Sequence, residues 1–145
     1  MKTHLNLPTS DLEKSVAFYR TLLNAEPTKQ YDDYALFITE NPGLELALDY
    51  DQAAQVSESA HFGVVVDSAE AVDEAIARFQ VAQLPLDVER DETCCYAVQT
   101  KVWVADPDGR RWEVYTVLED TEERDDRETT CCMTEDNADE SCCGV

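Results

Sequence analysis

The stretch Ala60-His61-Phe62-Gly63-Val64-Val65-Val66 gives the clearest indication of how this chain is built. It is short, rich in β-branched residues and followed at once by Asp67-Ser68, a pattern that predicts a strand leading into a helix N-cap. Apolar residues then recur at helical spacing: Ala71, Val72, Ala75, Ile76 and Phe79. Three strands are predicted next, at 86–90, 96–105 and 111–118. This half of the chain therefore has the order strand, helix and three strands.

The first half of the chain shows the same order. Residues 3–7 alternate apolar and polar side chains as a half-buried strand does, and Asp11 is a candidate N-cap. The predicted helix has its apolar residues at Leu12, Val16, Tyr19, Leu22 and Leu23. Strands are predicted at 28–31, 34–39 and 44–49. We therefore predict an α+β fold of two βαβββ modules, at about 1–52 and 58–118, which share one core in a single domain, 1–118.

Composition excludes several classes of partner. The formal net charge is -21 and the pI is near 4.1, so a nucleic-acid backbone or an anionic membrane surface would repel the chain. The N-terminus lacks the apolar segment of a signal peptide, and no apolar run is long enough to span a bilayer. We expect a cytoplasmic protein with no nucleic-acid and no membrane partner.

The last part of the sequence loses all apolar periodicity. Residues 119–145 contain eleven acidic residues against Arg124 and Arg127. Such a segment cannot bury enough apolar surface to fold alone, so we predict a disordered acidic tail. It carries two cysteine pairs, Cys131-Cys132 and Cys142-Cys143, for which both a role in soft-ion capture and no role remain open.

A third cysteine pair, Cys94-Cys95, lies in the body of the chain. Consecutive Cα atoms are only ~3.8 Å apart, whereas unstrained disulfides need roughly 5.5 to 6 Å, so the pair is predicted to stay reduced in the cytoplasm. Thiolates select soft, thiophilic partners. The alternative is that both cysteines simply begin a strand as small core residues.

Three potential metal ligands fall on one face of the predicted strands. His4 and His61 open the equivalent strands of the two modules, and Glu113 lies inside an apolar closing strand, where a charge needs a partner. Strand parity places all three on the face opposite the apolar one. Two histidines and one carboxylate are the side chains of a facial triad for Fe(II). A hydrogen-bonded histidine or an ion-paired glutamate is the alternative for each residue taken singly.

The first module provides an internal comparison. In the second module, Glu113 lies four positions after Gly109. The residue four positions after Gly43 in the first module is Ala47. The corresponding ligand position is therefore empty in the first module. Glu45 has the same parity, so a shifted register would bring it onto the ligand face.

These features resemble the vicinal oxygen chelate superfamily, on the basis of the two modules, His4, His61, the turn Asp106-Pro107-Asp108-Gly109 and the run Trp112-Glu113-Val114-Tyr115. With Cys94-Cys95 and the cysteine-rich tail, the chain is most similar to the non-heme iron carbon-arsenic lyases of that superfamily. The resemblance implies that the two modules form a cup-shaped mixed sheet. It also implies that His4, His61 and Glu113 hold Fe(II), and that Cys94 and Cys95 bind a trivalent organoarsenical.

The expected activity is cleavage of the carbon–arsenic bond of methylarsenite or a trivalent aromatic arsenical by O2, which leaves inorganic arsenite. Two alternatives stay open: a non-catalytic protein that sequesters Cd(II) or As(III), and a manganese-dependent thiol transferase of the same fold. The thiol transferase is weakened because the basic residues available for an anionic substrate are Arg110 and Arg111, at a predicted exposed turn. Iron is preferred over manganese by resemblance alone. Both a monomer and a homodimer are compatible with the sequence.

Overall fold

The computed structural model describes residues 2–56 and 60–122. Its elements in chain order are β1 (Thr3–Thr9), α1 (Leu12–Leu23), β2 (Lys29–Gln30), β3 (Tyr34–Glu40), β4 (Gly43–Tyr50), β5 (His61–Val65), α2 (Ala69–Val81), β6 (Leu86–Cys94), β7 (Ala97–Ala105) and β8 (Arg111–Asp120). The order strand, helix and three strands occurs twice. The predicted pair of βαβββ modules is confirmed.

Each module forms its own four-stranded mixed sheet. The strand order is β1-β4-β3-β2 in the first sheet and β5-β8-β7-β6 in the second. The pairs β1–β4 and β5–β8 are parallel, and the other neighbours are antiparallel. The strands that carry His4 and His61 therefore occupy equivalent outer positions in the two sheets.

Local sequence sets the ends of both helices. The carboxylate of Asp11 accepts a hydrogen bond of 3.1 Å from the backbone N–H of Lys14, which satisfies one of the unpaired donors of the first turn of α1. Asn24, with a left-handed φ of 49°, ends the helix. Ser68 caps α2 in the same way as Asp11 caps α1.

One hydrophobic core joins the two modules. The predicted apolar face is buried in this core or packed against it, and it comprises Leu5, Leu7, Phe62, Val64, Val66, Trp112 and Val114. Phe79 of α2 is fully buried, so its replacement by alanine should cost about 3 to 5 kcal/mol. Because the helices cover this face of each sheet, the opposite face is left for ligands.

Polar contacts also link the modules, at the turn between β7 and β8. The guanidinium of Arg110 donates to the backbone carbonyl of Pro8 at 2.5 Å and to Asp106 at 3.0 Å. The Tyr19 hydroxyl donates to the same carboxylate oxygen, Asp106 Oδ2, at 2.8 Å. Ser10 donates to Asp108 through its backbone N–H at 2.9 Å and its hydroxyl at 2.6 Å. These contacts fix the end of β1 against the start of β8.

Two strands of the second sheet extend past their predicted ends: β6 reaches Cys94 instead of residue 90, and β8 reaches Asp120 instead of residue 118. β8 continues to Asp120, two residues past the predicted end, because Glu119 and Asp120 pair with Val98 and Ala97 of β7. The rest of the predicted tail, 123–145, lies outside the described residues. Within the ranges 2–56 and 60–122, no helix has the length and apolar character needed to cross a membrane.

Candidate metal and thiol site

The second sheet brings two of the predicted metal ligands together. His61 lies on β5 and Glu113 lies on β8, and the two strands pair in parallel with Gly63 opposite Glu113. His61 Nε2 is 3.6 Å from Glu113 Oε1. The histidine side chain is half exposed, whereas the glutamate side chain is only 11% exposed. An accessible imidazole thus stands beside a largely buried carboxylate.

Gly63 provides the space that the Glu113 side chain occupies. A Cβ atom at this position would lie 3.2 Å from Glu113 Cγ, 3.3 Å from Glu113 Oε1 and 3.1 Å from Tyr115 Cε1. Such contacts are closer than ordinary van der Waals packing. The absence of a side chain at Gly63 therefore allows the carboxylate to lie across β5 toward His61.

A group of residues around this pair shares one face of the second sheet, which we call the ligand face. It consists of His61, Gly63, Val65, Lys101, Trp103, Glu113 and Tyr115. The Trp103 ring packs edge-on against His61, with a centroid separation of 5.2 Å, and the Arg111 guanidinium lies 4.3 Å from the Trp103 centroid. Trp103 therefore supports the imidazole from the side.

Lys101 is a residue of this face that the sequence interpretation missed. Its side chain is only 4% exposed, and its ammonium is 3.3 Å from Glu113 Oε2. The signal in the sequence was a lysine next to the apolar run Val102-Trp103-Val104, with the same parity as Trp103. Its burial next to Glu113 depends on the register of β7 with β8, which local sequence does not reveal.

His4 is placed elsewhere. It lies on β1 opposite Glu45, and its Nδ1 is 3.8 Å from Glu45 Oε1. Ala47 lies opposite Asn6 just as Glu113 lies opposite Gly63, so Ala47 is the structural equivalent of Glu113 in the first sheet. Among residues 2–56 and 60–122, no three His, Cys, Asp or Glu side chains are grouped to hold one metal ion. Within one chain, His4 is not brought together with the other two predicted ligands.

The residues that do meet suit a divalent metal. Imidazole and carboxylate ligands bind such ions at roughly 2.0 to 2.2 Å, so one ion can bridge the 3.6 Å between His61 Nε2 and Glu113 Oε1. Among the described residues, Glu113 Oε2 is buried without a hydrogen-bond partner, and Gly63 keeps the carboxylate accessible from β5. This pair therefore fits two positions of a metal site and leaves the remaining positions to other ligands.

The cysteine pair lies at the tip of the β6–β7 hairpin. Cys94 ends β6 and pairs with Ala97, so Cys95 and Tyr96 form a two-residue turn with φ values of 56° and 67°. Positive φ at residues other than glycine costs of order 1 to 3 kcal/mol each and concentrates at functional sites. The turn therefore keeps a strained backbone at the position that carries the sulfurs.

The two sulfurs are placed to bind one centre. They are 3.3 Å apart, which is too far for a disulfide, and Cys95 is exposed. Thiolate–metal bonds of roughly 2.3 Å would allow both sulfurs to reach a single soft ion. The expected reduced state of this pair agrees with the structure.

The hairpin tip is distant from the ligand pair. Trp103 lies opposite Glu113, and Ala97 lies beside the cysteines, so six residues of β7 separate the two levels. At roughly 3.3 Å per residue, this corresponds to roughly 20 Å along the strand. The structure thus places the thiols and the ligand pair on one sheet but not in contact.

The turn before β8 corrects one interpretation of the sequence. Arg110 was expected at an exposed turn, but it is only 5% exposed because Asp106 and Asp108 pair with it. Burial acts to raise the pKa of Asp108, yet the hydrogen bonds from Ser10 outweigh it, so the pKa lies below its ordinary value. The pKa of Tyr19 is raised far above its ordinary value, first by burial and then by Asp106. Arg110 is therefore occupied within the protein and is not available for an anionic substrate.

Known proteins resemble this chain in both sequence and fold. The family model described as "Glyoxalase/Bleomycin resistance protein/Dioxygenase superfamily" matches residues 3–114. A "trivalent organoarsenical cleaving enzyme" of Bacillus sp. (strain MD1) is 38% identical over 97% of this chain and 88% of its own length. The "cadmium-induced protein CadI" of Mycobacterium tuberculosis (strain ATCC 25618 / H37Rv) is 44% identical over 83% of this chain and 79% of its own length.

Solved structures agree on the fold. A glyoxalase/bleomycin resistance protein/dioxygenase from Alicyclobacillus acidocaldarius aligns with a TM-score of 0.67 at 20% identity, over 82% of this chain and 92% of its own. The fosfomycin resistance protein FosX from Listeria monocytogenes, in complex with Mn(II) and sulfate, aligns with a TM-score of 0.62 at 22% identity, over 80% and 89% of the two chains. Because the family model matches residues 3–114, the chain belongs to the glyoxalase/bleomycin resistance protein/dioxygenase superfamily.

Proposed function

We propose that this protein cleaves the carbon–arsenic bond of trivalent organoarsenicals in a reaction that requires Fe(II) and O2 and releases inorganic arsenite. The observation that carries the proposal is the pair of sulfurs, 3.3 Å apart, on the same sheet as the His61–Glu113 pair. The names of the relatives support it, since two relatives at 37 and 38% identity are named trivalent organoarsenical cleaving enzymes and one at 36% is named a probable one.

Cys94 and Cys95 bind the arsenical in this scheme. A trivalent organoarsenical with two hydroxyls exchanges both for sulfur, so two As–S bonds form and two waters leave with the thiol protons. Because the sulfurs belong to adjacent residues, the second bond forms at a high effective concentration. The organic substituent then remains the one group on arsenic that is not replaced.

His61, Glu113 and His4 would hold the Fe(II). The ion, when bound, supplies open coordination positions for O2 and the electrons that activate it. Glu113 presents Oε1 toward His61, and Trp103 fixes the imidazole through its edge contact. The aromatic side chains of Trp103 and Tyr115 lie on the same face, and the Glu113 side chain is only 11% exposed, so little water reaches the carboxylate.

The separation along β7 imposes a further requirement. A carbon–arsenic bond held by Cys94 and Cys95 starts roughly 20 Å along the strand from the level of Glu113. The hairpin tip must therefore approach the ligand face before cleavage. Register irregularities in β6 between Glu89 and Glu92, and in β7 between Val98 and Gln99, lie at the base of the tip, where the ladder is locally interrupted.

A second candidate function is sequestration of soft ions without catalysis. It is favoured by the exposed position of Cys95 away from the metal ligands and by the name of the cadmium-induced relatives. In that case, the cysteines would bind Cd(II) or As(III), and Glu113 would serve only as the partner of Lys101.

Incubation of the purified chain with Fe(II), O2 and methylarsenite tests these functions directly. The expected result is catalytic formation of inorganic arsenite, measured by chromatography coupled to elemental detection of arsenic. Omission of O2 or of Fe(II), and the variant Glu113→Ala, should each abolish it. Stoichiometric binding of methylarsenite without any inorganic arsenite would overturn the lyase and support sequestration.

A further inference from the structure

Lys101 is buried at the centre of the ligand face, and burial of an ammonium is costly unless it is compensated. Its side chain is 4% exposed. It has three neighbours that compensate a positive charge: Glu113 Oε2 at 3.3 Å, the Trp103 ring at 5.6 Å and the Tyr115 ring at 5.9 Å. Both rings lie within the range at which an aromatic face attracts a cation. The Glu113 carboxylate and the two aromatic rings therefore hold the ammonium of Lys101 in one position.

The two oxygens of Glu113 have different neighbours. Oε1 faces His61 Nε2 at 3.6 Å, whereas Oε2 faces the ammonium of Lys101 at 3.3 Å. Contact with Lys101 is an ion pair that lacks the alignment of a hydrogen bond, since Oε2 has no hydrogen-bond partner within the described residues. Gly63 opens the third side, where any Cβ would crowd Oε1. One oxygen of the Glu113 carboxylate thus faces the imidazole of His61, and the other faces the ammonium of Lys101.

From this geometry, we propose that Lys101 is a positioning residue that retains Oε2 of Glu113, so that the carboxylate offers the single oxygen Oε1 to a metal beside His61. The proposal rests on the function proposed above, because it assigns a task at the same metal site. Partners that orient a ligating side chain matter because the ligand otherwise samples several orientations, and their loss typically costs 10- to 100-fold in metal affinity or activity.

Two effects of Lys101 on metal affinity oppose each other. Orientation of Glu113 favours binding, whereas the positive charge of the ammonium repels a divalent cation. Affinity alone therefore does not test the proposal. The coordination mode of Glu113 tests the proposal, because without Lys101 both carboxylate oxygens become available to the ion.

The test uses Co(II), whose visible absorption depends on coordination number and geometry, and it needs neither arsenical nor O2. Co(II) is titrated into the wild type, Lys101→Met, Lys101→Gln and the control Lys14→Met. Lys14 is an exposed lysine on α1, whose side chain is 75% exposed. The spectrum of Glu113→Ala is subtracted from each, which removes the absorption of Co(II) bound by cysteines.

We expect Lys101→Met to change the Co(II) spectrum and to lower turnover of methylarsenite by roughly 10- to 100-fold, while Lys14→Met matches the wild type in both. Lys101→Gln removes the charge of the ion pair, so it should change the spectrum in the same direction as Lys101→Met. Should Lys101→Met misfold, as judged by circular dichroism of the metal-free chain, the comparison of Lys101→Gln with the wild type still holds.

Three outcomes have distinct meanings. A wild-type Co(II) spectrum in both Lys101 variants would overturn the positioning role. So would a wild-type Lys101→Gln spectrum beside a changed Lys101→Met spectrum, because the ion pair would then not be what holds Oε2. Failure of the wild type itself to bind Co(II) at Glu113 would overturn the metal site and with it the proposed function.

Discussion

Gly63 lies directly opposite Glu113 in the parallel pair of β5 and β8, and a methyl group on Gly63 would be 3.2 Å from Glu113 Cγ. The glycine is therefore a condition for the position of the carboxylate. The corresponding pair in the first sheet is Asn6 and Ala47, where a larger residue faces a smaller one. In the second sheet the small residue is on the first strand of the module and the large one on the last strand, whereas the first sheet has the reverse. This difference explains why the second sheet, and not the first, provides the carboxylate ligand.

We predict that Gly63→Ala weakens metal binding by roughly tenfold or more, because Glu113 or Tyr115 must move by a few tenths of an ångström to admit the new methyl group. Overpacking of this kind also costs about 1 to 3 kcal/mol of stability. Metal affinity is measured by titration with Co(II), and stability by urea unfolding. Val65→Ala is the matched control, since Val65 lies on the same strand and face but is 61% exposed. Equal affinity of Gly63→Ala and the wild type would contradict the importance of this space.

The thiols should be separable from the metal site. Cys94→Ser and Cys95→Ser are each expected to keep bound Fe(II), since the sulfurs lie roughly 20 Å along β7 from the level of Glu113. Each should nevertheless lose binding of methylarsenite almost completely, because a hydroxyl is a poor ligand for a thiophilic centre and a two-point attachment is broken. Iron content and bound arsenic are measured on the same samples. A single serine variant that still binds the arsenical tightly would show that one sulfur is sufficient.

Asp108 should contribute stability in a pH-dependent way. Its pKa is lowered by the hydrogen bonds from Ser10 against the opposing effect of burial, so its contribution is present above the ordinary carboxyl pKa of 3.8 and is lost as the pH falls below that value. Asp108→Asn should therefore reduce the free energy of unfolding by about 1.5 to 3 kcal/mol at pH 7. At pH 3 the difference between the two proteins should shrink. Urea unfolding at both pH values measures it, and a difference that grows toward acid would reverse the assigned sign.

The fold followed from local patterns, whereas part of the site did not. Alternation in residues 3–7 and helical spacing in residues 12–23 depend on each element alone, so the element order could be predicted. Parity was sufficient to place His61 and Glu113 on one face, and their contact confirms that step. Arg110 and Lys101 were misjudged or missed because their burial results from neighbours on other strands and turns.

The separation of His4 from the other ligands could not be read from the sequence either. Parity tells which face of a strand a residue occupies, but it says nothing about how two sheets are placed relative to each other. His4 lies at 3.8 Å from Glu45 on the first sheet, away from the His61–Glu113 pair on the second. The membership of His4 in the metal site thus stays a prediction.

The last prediction concerns the origin of the third ligand. β1 and β5 each have a single partner strand, and both are outer strands of their sheets within the described part of the chain. Such edges are templates for pairing with another chain. In a symmetric dimer, β1 of one chain beside β5 of the other would bring His4 next to His61, and the two sites of the dimer would form together.

Complementation tests this arrangement. His4→Ala and Glu113→Ala should each be inactive alone, because each removes one ligand from every site. When the two variants are unfolded together and refolded, about half of the dimers are mixed, and each mixed dimer contains one site with His4, His61 and Glu113 intact, so about a quarter of the wild-type activity should return. If all three ligands came from one chain, no mixture would contain an intact site, and activity would stay at the level of the separate variants. Activity in His4→Ala alone would remove His4 from the ligand set, since the ion would then need only the pair that the second sheet already brings together.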